Sequence, residues 1–200
     1  MKTKSKKHTR IPWNKGREGL RVRALTLLEV RKIEAALHKS AAFRDVALFR
    51  LGFDSGLRGS DLVSVRVADV WRMGRVIDTP QIAGKTVYLS RKTKTWLQVY
   101  IADSDINDGW LFVGRRQDEH LTPRQFSRLM KEWVAAVGIT EDLATESLRR
   151  SRAQCLVDKT GSLDAARQLL GMKRLTDVVQ YLDIEPCTNM PKAVAQVEID

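Results

Sequence analysis

The chain has 200 residues, 43% of them hydrophobic, and a formal charge of +11. That hydrophobic share supports a packed core and excludes a chain disordered throughout, and the length fits one domain with tails. No run approaches the ~18 uncharged apolar residues of a membrane-spanning helix, and the basic first residues lead into no apolar segment of a secretory signal. The positive surplus favours an anionic partner, nucleic acid ahead of acidic lipid.

Residues 1–23 hold nine Lys and Arg against Glu18 alone. They read as a solvated arm, disordered in the free protein and suited to lie along phosphates. Thr26 with Glu29 forms a capping box, and Leu27, Val30, Ile33 and Leu37 follow at helical spacing. A second helical stripe runs Phe43, Val46, Ala47 and Leu51, with Gly52 and Gly56 loosening its end. Ser60 reads as the N-cap of a short helix through Leu62 and Val65. Residues 75–102 change period. Thr86 to Ser90 and Trp96 to Ala102 are rich in β-branched and aromatic residues, which predicts a small antiparallel sheet with a hairpin near residues 91–95.

Thr122 and Pro123 suit the N-cap and first position of the next helix. Its stripe is Phe126, Leu129, Met130, Trp133, Val134 and Val137, and Gly138 stops it. Three shorter helical patterns follow, near 147–160, 163–170 and 175–182. The expected fold class is α+β, mostly α: a helical domain with a small antiparallel β-sheet. The expected division is a basic arm over 1–23, a domain over 24–185 and a tail over 186–200. Cys155 and Cys187 are too few for a disulfide framework and read as reduced thiols of a cytoplasmic protein. His8, His38 and His120 share no metal-ligand spacing, and no metal or cofactor is expected.

Four separated segments carry candidate chemistry. Gly56-Leu57-Arg58-Gly59-Ser60-Asp61-Leu62 places an arginine on a glycine-flanked turn that opens a helix. Lys94 lies in the basic run Arg91-Lys92-Thr93-Lys94-Thr95. Glu146-Ser147-Leu148-Arg149-Arg150-Ser151 forms a third box. Leu170-Gly171-Met172 is followed nine residues after Met172 by Tyr181. Singly, each has an ordinary reading: a surface salt-bridge partner, an edge-strand lysine, a solvated helix face, an amphipathic core residue.

In order and spacing the four together resemble the catalytic domain of tyrosine recombinases (phage integrases). That family shows a G-L-R-x-S-E-L box, a hairpin lysine, an H-x-L-R-[HR]-[ST] box, an L-G-H segment and a tyrosine nine residues beyond it. The resemblance covers about residues 25–185. Arg58, Arg149 and Tyr181 match residue by residue. Lys94 is placed by the Lys-Thr ahead of Val99 and Ile101, with Lys92 as its rival. Two positions depart: Glu146 stands at the family's first histidine and Met172 at its second.

The resemblance implies attack of a tyrosine hydroxyl on a DNA phosphodiester, giving a 3′-phosphotyrosine and a free 5′-hydroxyl without metal or ATP. The residue types suit that chemistry. Tyrosine titrates near ~10, so only about one molecule in a thousand is phenolate at pH 7, and it needs a base or nearby positive charge. Negative charge gathers on the non-bridging oxygens in the transition state, where two guanidinium forks can bind it. Loss of one such donor typically costs about a hundred- to thousandfold in rate. A hairpin lysine can protonate the leaving 5′-oxygen. In this reading Arg58 and Arg149 clamp the phosphate, Lys94 is the general acid and Tyr181 attacks. Lys92, Arg150, Lys173 and Arg174 are candidate DNA contacts. Glu146 suits either a base for Tyr181 or an ion-pair partner that orients Arg149 or Arg150; Met172 supplies shape.

The implied function is site-specific DNA recombination: integration, excision, inversion or resolution. The implied partners are double-stranded DNA, three further copies in a tetramer on paired sites, and accessory DNA-bending proteins, with no membrane. The implied setting is the bacterial cytoplasm, on nucleoid or mobile-element DNA. About 24 residues precede the first helix, too few for the clamping domain most relatives carry, so the arm is expected to take part of that role. The competing reading is a weak or inactive recombinase-like DNA-binding protein acting as a regulator or assembly factor, to which the two departures point. A type IB topoisomerase is a chemical cousin. An RNA-binding protein lacks its usual aromatic stacking motifs here.

Overall fold

A computed structural model describes residues 22–184 apart from residue 117. The arm over residues 1–21 and the tail from 185 onward lie outside the described residues. Within them the chain runs α1 (Leu27–Lys39), α2 (Phe43–Ser55), α3 (Gly59–Val63), α4 (Val67–Val70), β1 (Trp71–Arg72), β2 (Arg75–Val76), β3 (Gln81–Ile82), β4 (Lys85–Thr86), α5 (Arg91–Ser104), α6 (Pro123–Ala136), α7 (Thr145–Thr160), α8 (Leu163–Leu170) and α9 (Leu175–Leu182). The fold is mostly helical, with two small antiparallel β-hairpins, β1–β2 and β3–β4. No helix among the described residues is long and apolar enough to cross a membrane.

The expected caps form where side chains can reach free amides. Thr26 accepts from the Glu29 amide while the Glu29 carboxylate accepts from the Thr26 amide, and Thr122 and Gln125 do the same ahead of Pro123. Arg23, the last residue of the expected arm, donates to Glu29 at 2.7 Å and to Glu141 at 2.9 Å, so the start of the domain is tied to the segment ahead of α7. At α3 the cap differs from expectation. Arg58 is the N-cap and Ser60 lies inside the helix, its hydroxyl 3.3 Å from Asp61.

Helix α2 is buried from Val46 through Ser55 and forms the centre of the main core. A helix covered on all sides has no solvent face, so its polar residues must find partners. Arg50 donates to Ser90 Oγ at 2.9 Å and lies 3.5 Å from Glu34. Asp54 accepts from the Ser90 amide at 2.8 Å and the Thr93 hydroxyl at 2.6 Å. A second, smaller core joins α7, α8 and α9 through Ala153, Ala166, Leu170, Val178 and Leu182. Helix α7 bridges the two: its Leu148 belongs to the first core and its Ala153 to the second.

The hairpin expected near residues 91–95 is absent, and the strand expected over 96–102 is helical: both lie in α5. Leu97, Tyr100 and Ile101 are buried at helical spacing, and Ser90 accepts from the Thr93 amide as N-cap. Asp54, from a different helix, holds both Ser90 and Thr93 and so fixes the first turn. The sheet content lies earlier. Both hairpins turn through two residues at positive φ, Met73-Gly74 and Ala83-Gly84, which is the type I′ turn that matches strand twist.

These contacts generate measurable effects on stability. Asp54→Ala leaves the Ser90 amide and the Thr93 hydroxyl without their acceptor, and lowers the unfolding free energy by about 3 kcal/mol; urea denaturation measures it against Asp103→Ala on an exposed face. Glu29 has its pKa lowered to about 2, first by its hydrogen bond from Arg23, then against the opposing effect of burial, by its bonds within the Thr26 cap. Its stabilising contribution is therefore full above the ordinary carboxylate range near ~4.3 and fades as pH falls toward 2. The stability gap between the unaltered chain and Glu29→Gln should be widest at pH 7 and should close progressively on titration through about pH 3.

Candidate active site

The site grows from one side chain on α7. Arg149 is 4% exposed. Its Nε donates to the Gly56 carbonyl at 2.7 Å and its Nη2 to the Leu170 carbonyl at 2.8 Å. These two carbonyls lie at the C-terminal ends of α2 and α8, where the helical ladder leaves acceptors unpaired and the backbone dipoles favour a cation. The remaining nitrogen, Nη1, lies 3.4 Å from Glu146 Oε1.

The Leu170 carbonyl accepts a second cation. Lys85 Nζ, on the β3–β4 hairpin, donates to it at 3.2 Å. The lysine stem crosses Gly171, whose φ is +65°; a Cβ built there would stand 2.7 Å from Lys85 Cε, so glycine serves both the turn and the crossing. Burial lowers the Lys85 pKa from the ordinary lysine value, and the charges of Arg149 and Arg58 lower it further against a smaller opposing effect of Asp61. Arg58 caps α3, two residues past the carbonyl that holds Arg149, and is exposed. Its guanidinium makes no hydrogen bond or ion pair among the described residues.

Tyr181, near the end of α9, donates its hydroxyl to Glu146 Oε1 at 2.6 Å. The guanidinium carbons of Arg150 and Arg149 lie 4.9 and 5.6 Å from the centre of its ring. Burial pushes the Tyr181 pKa well above the ordinary phenol value; the hydrogen bond and charge of Glu146 push the same way, and the two arginines oppose them. Arg150 Nε is buried without a partner among the described residues. Arg150, Met172, Asp177, Gln180 and Tyr181 line a shallow depression of about 320 Å³. Met172 thus shapes the wall beside the phenol.

Of the residues singled out from sequence, Arg58, Glu146, Arg149, Arg150, Met172 and Tyr181 gather in this region. Lys173 and Arg174 lie exposed just beyond, in the turn into α9, and Arg174 pairs with Asp177 at 3.3 Å. Lys94 and Lys92 are elsewhere. Both stand on helix α5 and not on a hairpin; Lys94 pairs with Asp78 at 2.7 Å and Lys92 with Glu34 at 3.4 Å. The lysine on a hairpin beside Arg149 is Lys85, which sequence reasoning missed. The sequence signal for it is weak: Gly84 marks a turn between Ile82 and Val87, but Ala-Gly is not a favoured hairpin dipeptide.

A cluster of cations held by helix ends, with a phenol at its edge, is suited to receive a phosphodiester and present a nucleophile to it. Known proteins place the chain accordingly. It is similar to the tyrosine recombinase XerC of Serratia marcescens, 26% identical over 170 residues that make up 79% of this chain and 54% of that protein. It is also similar to a tyrosine recombinase of Thermosipho africanus, 27% identical over 163 residues, 80% of this chain and 56% of that protein. The chain spans about half the length of the curated relatives it matches. Among solved structures, the XerH site-specific recombinase bound to difH substrate in a pre-cleavage complex superposes with a TM-score of 0.71 at 19% identity, over 88% of this chain and 55% of that one; at that identity the likeness shows a shared fold. The sequence profile of the phage integrase family matches residues 23–186, and with that span covering nearly every described residue, the chain belongs to the phage integrase family.

Proposed function

We propose that this chain is a site-specific DNA recombinase that cleaves and rejoins strands through a 3′-phosphotyrosine intermediate. The observation that carries the reading is the shared Leu170 carbonyl. It holds Arg149 and Lys85 side by side, with the Tyr181 hydroxyl reached from Arg149 through one carboxylate oxygen. Tyr181 is the nucleophile. Arg149 and Arg58, which has no hydrogen bond or ion pair among the described residues, bind the non-bridging oxygens. Lys85, in place of Lys94, protonates the leaving 5′-oxygen; its lowered pKa makes it a readier donor than a solvated lysine. Arg150, Lys173 and Arg174 contact the flanking backbone, and no metal takes part.

The wider reading follows from the same resemblance. Residues 24–185 form the strand-cleaving domain, residues 1–23 a basic arm along the duplex and residues 186–200 a tail toward a neighbouring protomer. Four copies act on two paired DNA sites, with accessory DNA-bending proteins, in the bacterial cytoplasm on nucleoid or mobile-element DNA. DNA as substrate is supported by the similar XerH recombinase, whose structure was solved bound to its difH substrate.

The test uses duplex DNA from the gene's own neighbourhood, nicked near candidate sites so that cleavage traps the covalent product. The unaltered chain should accumulate a protein–DNA adduct and Tyr181→Phe none. Absence of any adduct from the unaltered chain contradicts the proposal. Lys85→Ala should slow adduct formation by about a hundredfold or more, whereas Lys94→Ala, which removes only a surface ion pair, should leave the rate unchanged. The reverse ranking would return the acid role to Lys94.

A further inference from the structure

Glu146 stands where the resembling family carries a histidine, and the family match gives it no role. Its position is informative. Arg149 is already fixed by two backbone carbonyls at 2.7 and 2.8 Å, so the 3.4 Å contact from Nη1 to Glu146 Oε1 adds little to its orientation. The contact from Tyr181 is different. At 2.6 Å it has the length of a strong O–H···O⁻ bond. The same oxygen, Oε1, receives both. It therefore lies between the proton of the phenol and the one nitrogen of Arg149 not held by a backbone carbonyl.

We propose that Glu146 is the general base that takes the Tyr181 proton, and that the arriving phosphodiester switches it on. The proposal rests on the strand-cleavage reading above. In the empty site Arg149 Nη1 shares the carboxylate, and the phenol keeps its proton. A non-bridging phosphate oxygen competes for Nη1 and displaces Oε1. The carboxylate then loses a cationic neighbour and gains an anionic one, and both changes favour its taking a proton. The phenol O–H bond breaks toward Oε1 as the phenol oxygen bonds to phosphorus. The bond from phosphorus to the 5′-oxygen breaks, and that oxygen takes a proton from Lys85. On rejoining, the glutamic acid returns its proton to the phenol and the neutral lysine takes up that of the attacking 5′-hydroxyl. Arg150, 4.9 Å from the ring centre with its Nε unpartnered among the described residues, stabilises the charge that grows on the phenol oxygen.

The arrangement also explains how a carboxylate is tolerated beside a phosphate. Arg58, Lys85, Arg149 and Arg150 gather in the region, and the carboxylate itself meets Arg149 of its own helix at 3.4 Å and the phenol of α9 at 2.6 Å. Glu146, Asp61 near Lys85 and Asp177 beside Tyr181 stand against Arg58, Lys85, Arg149, Arg150 and Arg174, so cations outnumber carboxylates in the region.

The experiment is single-turnover cleavage by the full chain on the nicked duplex, prepared with either an ordinary phosphodiester or a 5′-bridging phosphorothiolate. A thiolate leaves without a proton, so it bypasses the acid but not the base. Glu146→Gln keeps the shape and loses the proton acceptor. Its cleavage rate should fall by about a hundredfold or more on both substrates, while its DNA affinity holds or rises because Arg149 has lost an anionic competitor. The defect of Lys85→Ala should largely disappear on the phosphorothiolate. Glu146→His should recover much of the rate and introduce a decline as pH falls through the imidazole range near ~6.5. A Glu146→Gln chain that cleaves at the unaltered rate, or one rescued by the phosphorothiolate, overturns the base assignment and leaves strand cleavage standing. No adduct from the unaltered chain removes both.

Discussion

A buried guanidinium held by two helix ends organises the molecule. Burying a cation is costly unless acceptors replace its water. Arg149 finds them at the places where helices have carbonyls to spare, the last turn of α8 and the C-cap of α2. The same contacts fix α7 against both. Helix α7 is further tied at Ser151, whose hydroxyl donates to the Ser147 carbonyl and accepts from the Leu25 amide, each at 2.6 Å. The scaffold and the site are thus built from the same bonds, and the residue most important to one cannot be changed without disturbing the other.

The second consequence is electrostatic. Arg58, Lys85 and Arg149 are close enough for the two arginines to depress the lysine's pKa. Such crowding is unfavourable by itself, and in the proposed reaction an entering phosphate would relieve it. The penalty is met beforehand by the fold, so that the donors need not reorganise when charge develops on the substrate. Tyr181 is held under the opposite regime. Its burial and its bond to Glu146 keep it protonated.

Most of the longer helices, the caps at Thr26 and Thr122, and the gathering of Arg58, Arg149 and Tyr181 as candidates were legible because local signals carry them. The Thr26–Glu29 and Thr122–Gln125 boxes, the stripe of α6 and the order of Arg58, Arg149 and Tyr181 depend on spacing alone. Helix α5 was not legible. Its β-branched and aromatic residues suit a strand, and the helix is decided by Asp54, 36 residues before Ser90 in the chain, gripping its first turn. A strand reading of α5 puts a hairpin at 91–95 and points to Lys94, whereas the hairpin lysine beside Arg149 is Lys85. The Ala83-Gly84 turn was visible but short, with only two paired residues on each side. The two readings of Glu146 are inseparable in sequence, because an ion pair at i, i+3 and a contact to α9 leave the same trace; the structure holds both contacts, at 3.4 Å to Arg149 and 2.6 Å to Tyr181.

The most direct test is a structure of the chain on its nicked DNA site with Tyr181 replaced by phenylalanine, so that the uncleaved phosphodiester stays in place. Arg58 and Arg149 should both lie within hydrogen-bonding distance, about 3 Å, of non-bridging oxygens on one phosphorus. Lys85 should stand at the bridging 5′-oxygen, with the edge of the substituted ring directed at the opposite side of the phosphorus. A phosphate engaged by Arg149 while Lys85 points away or Arg58 grips a different nucleotide would contradict the convergence on which the site is built.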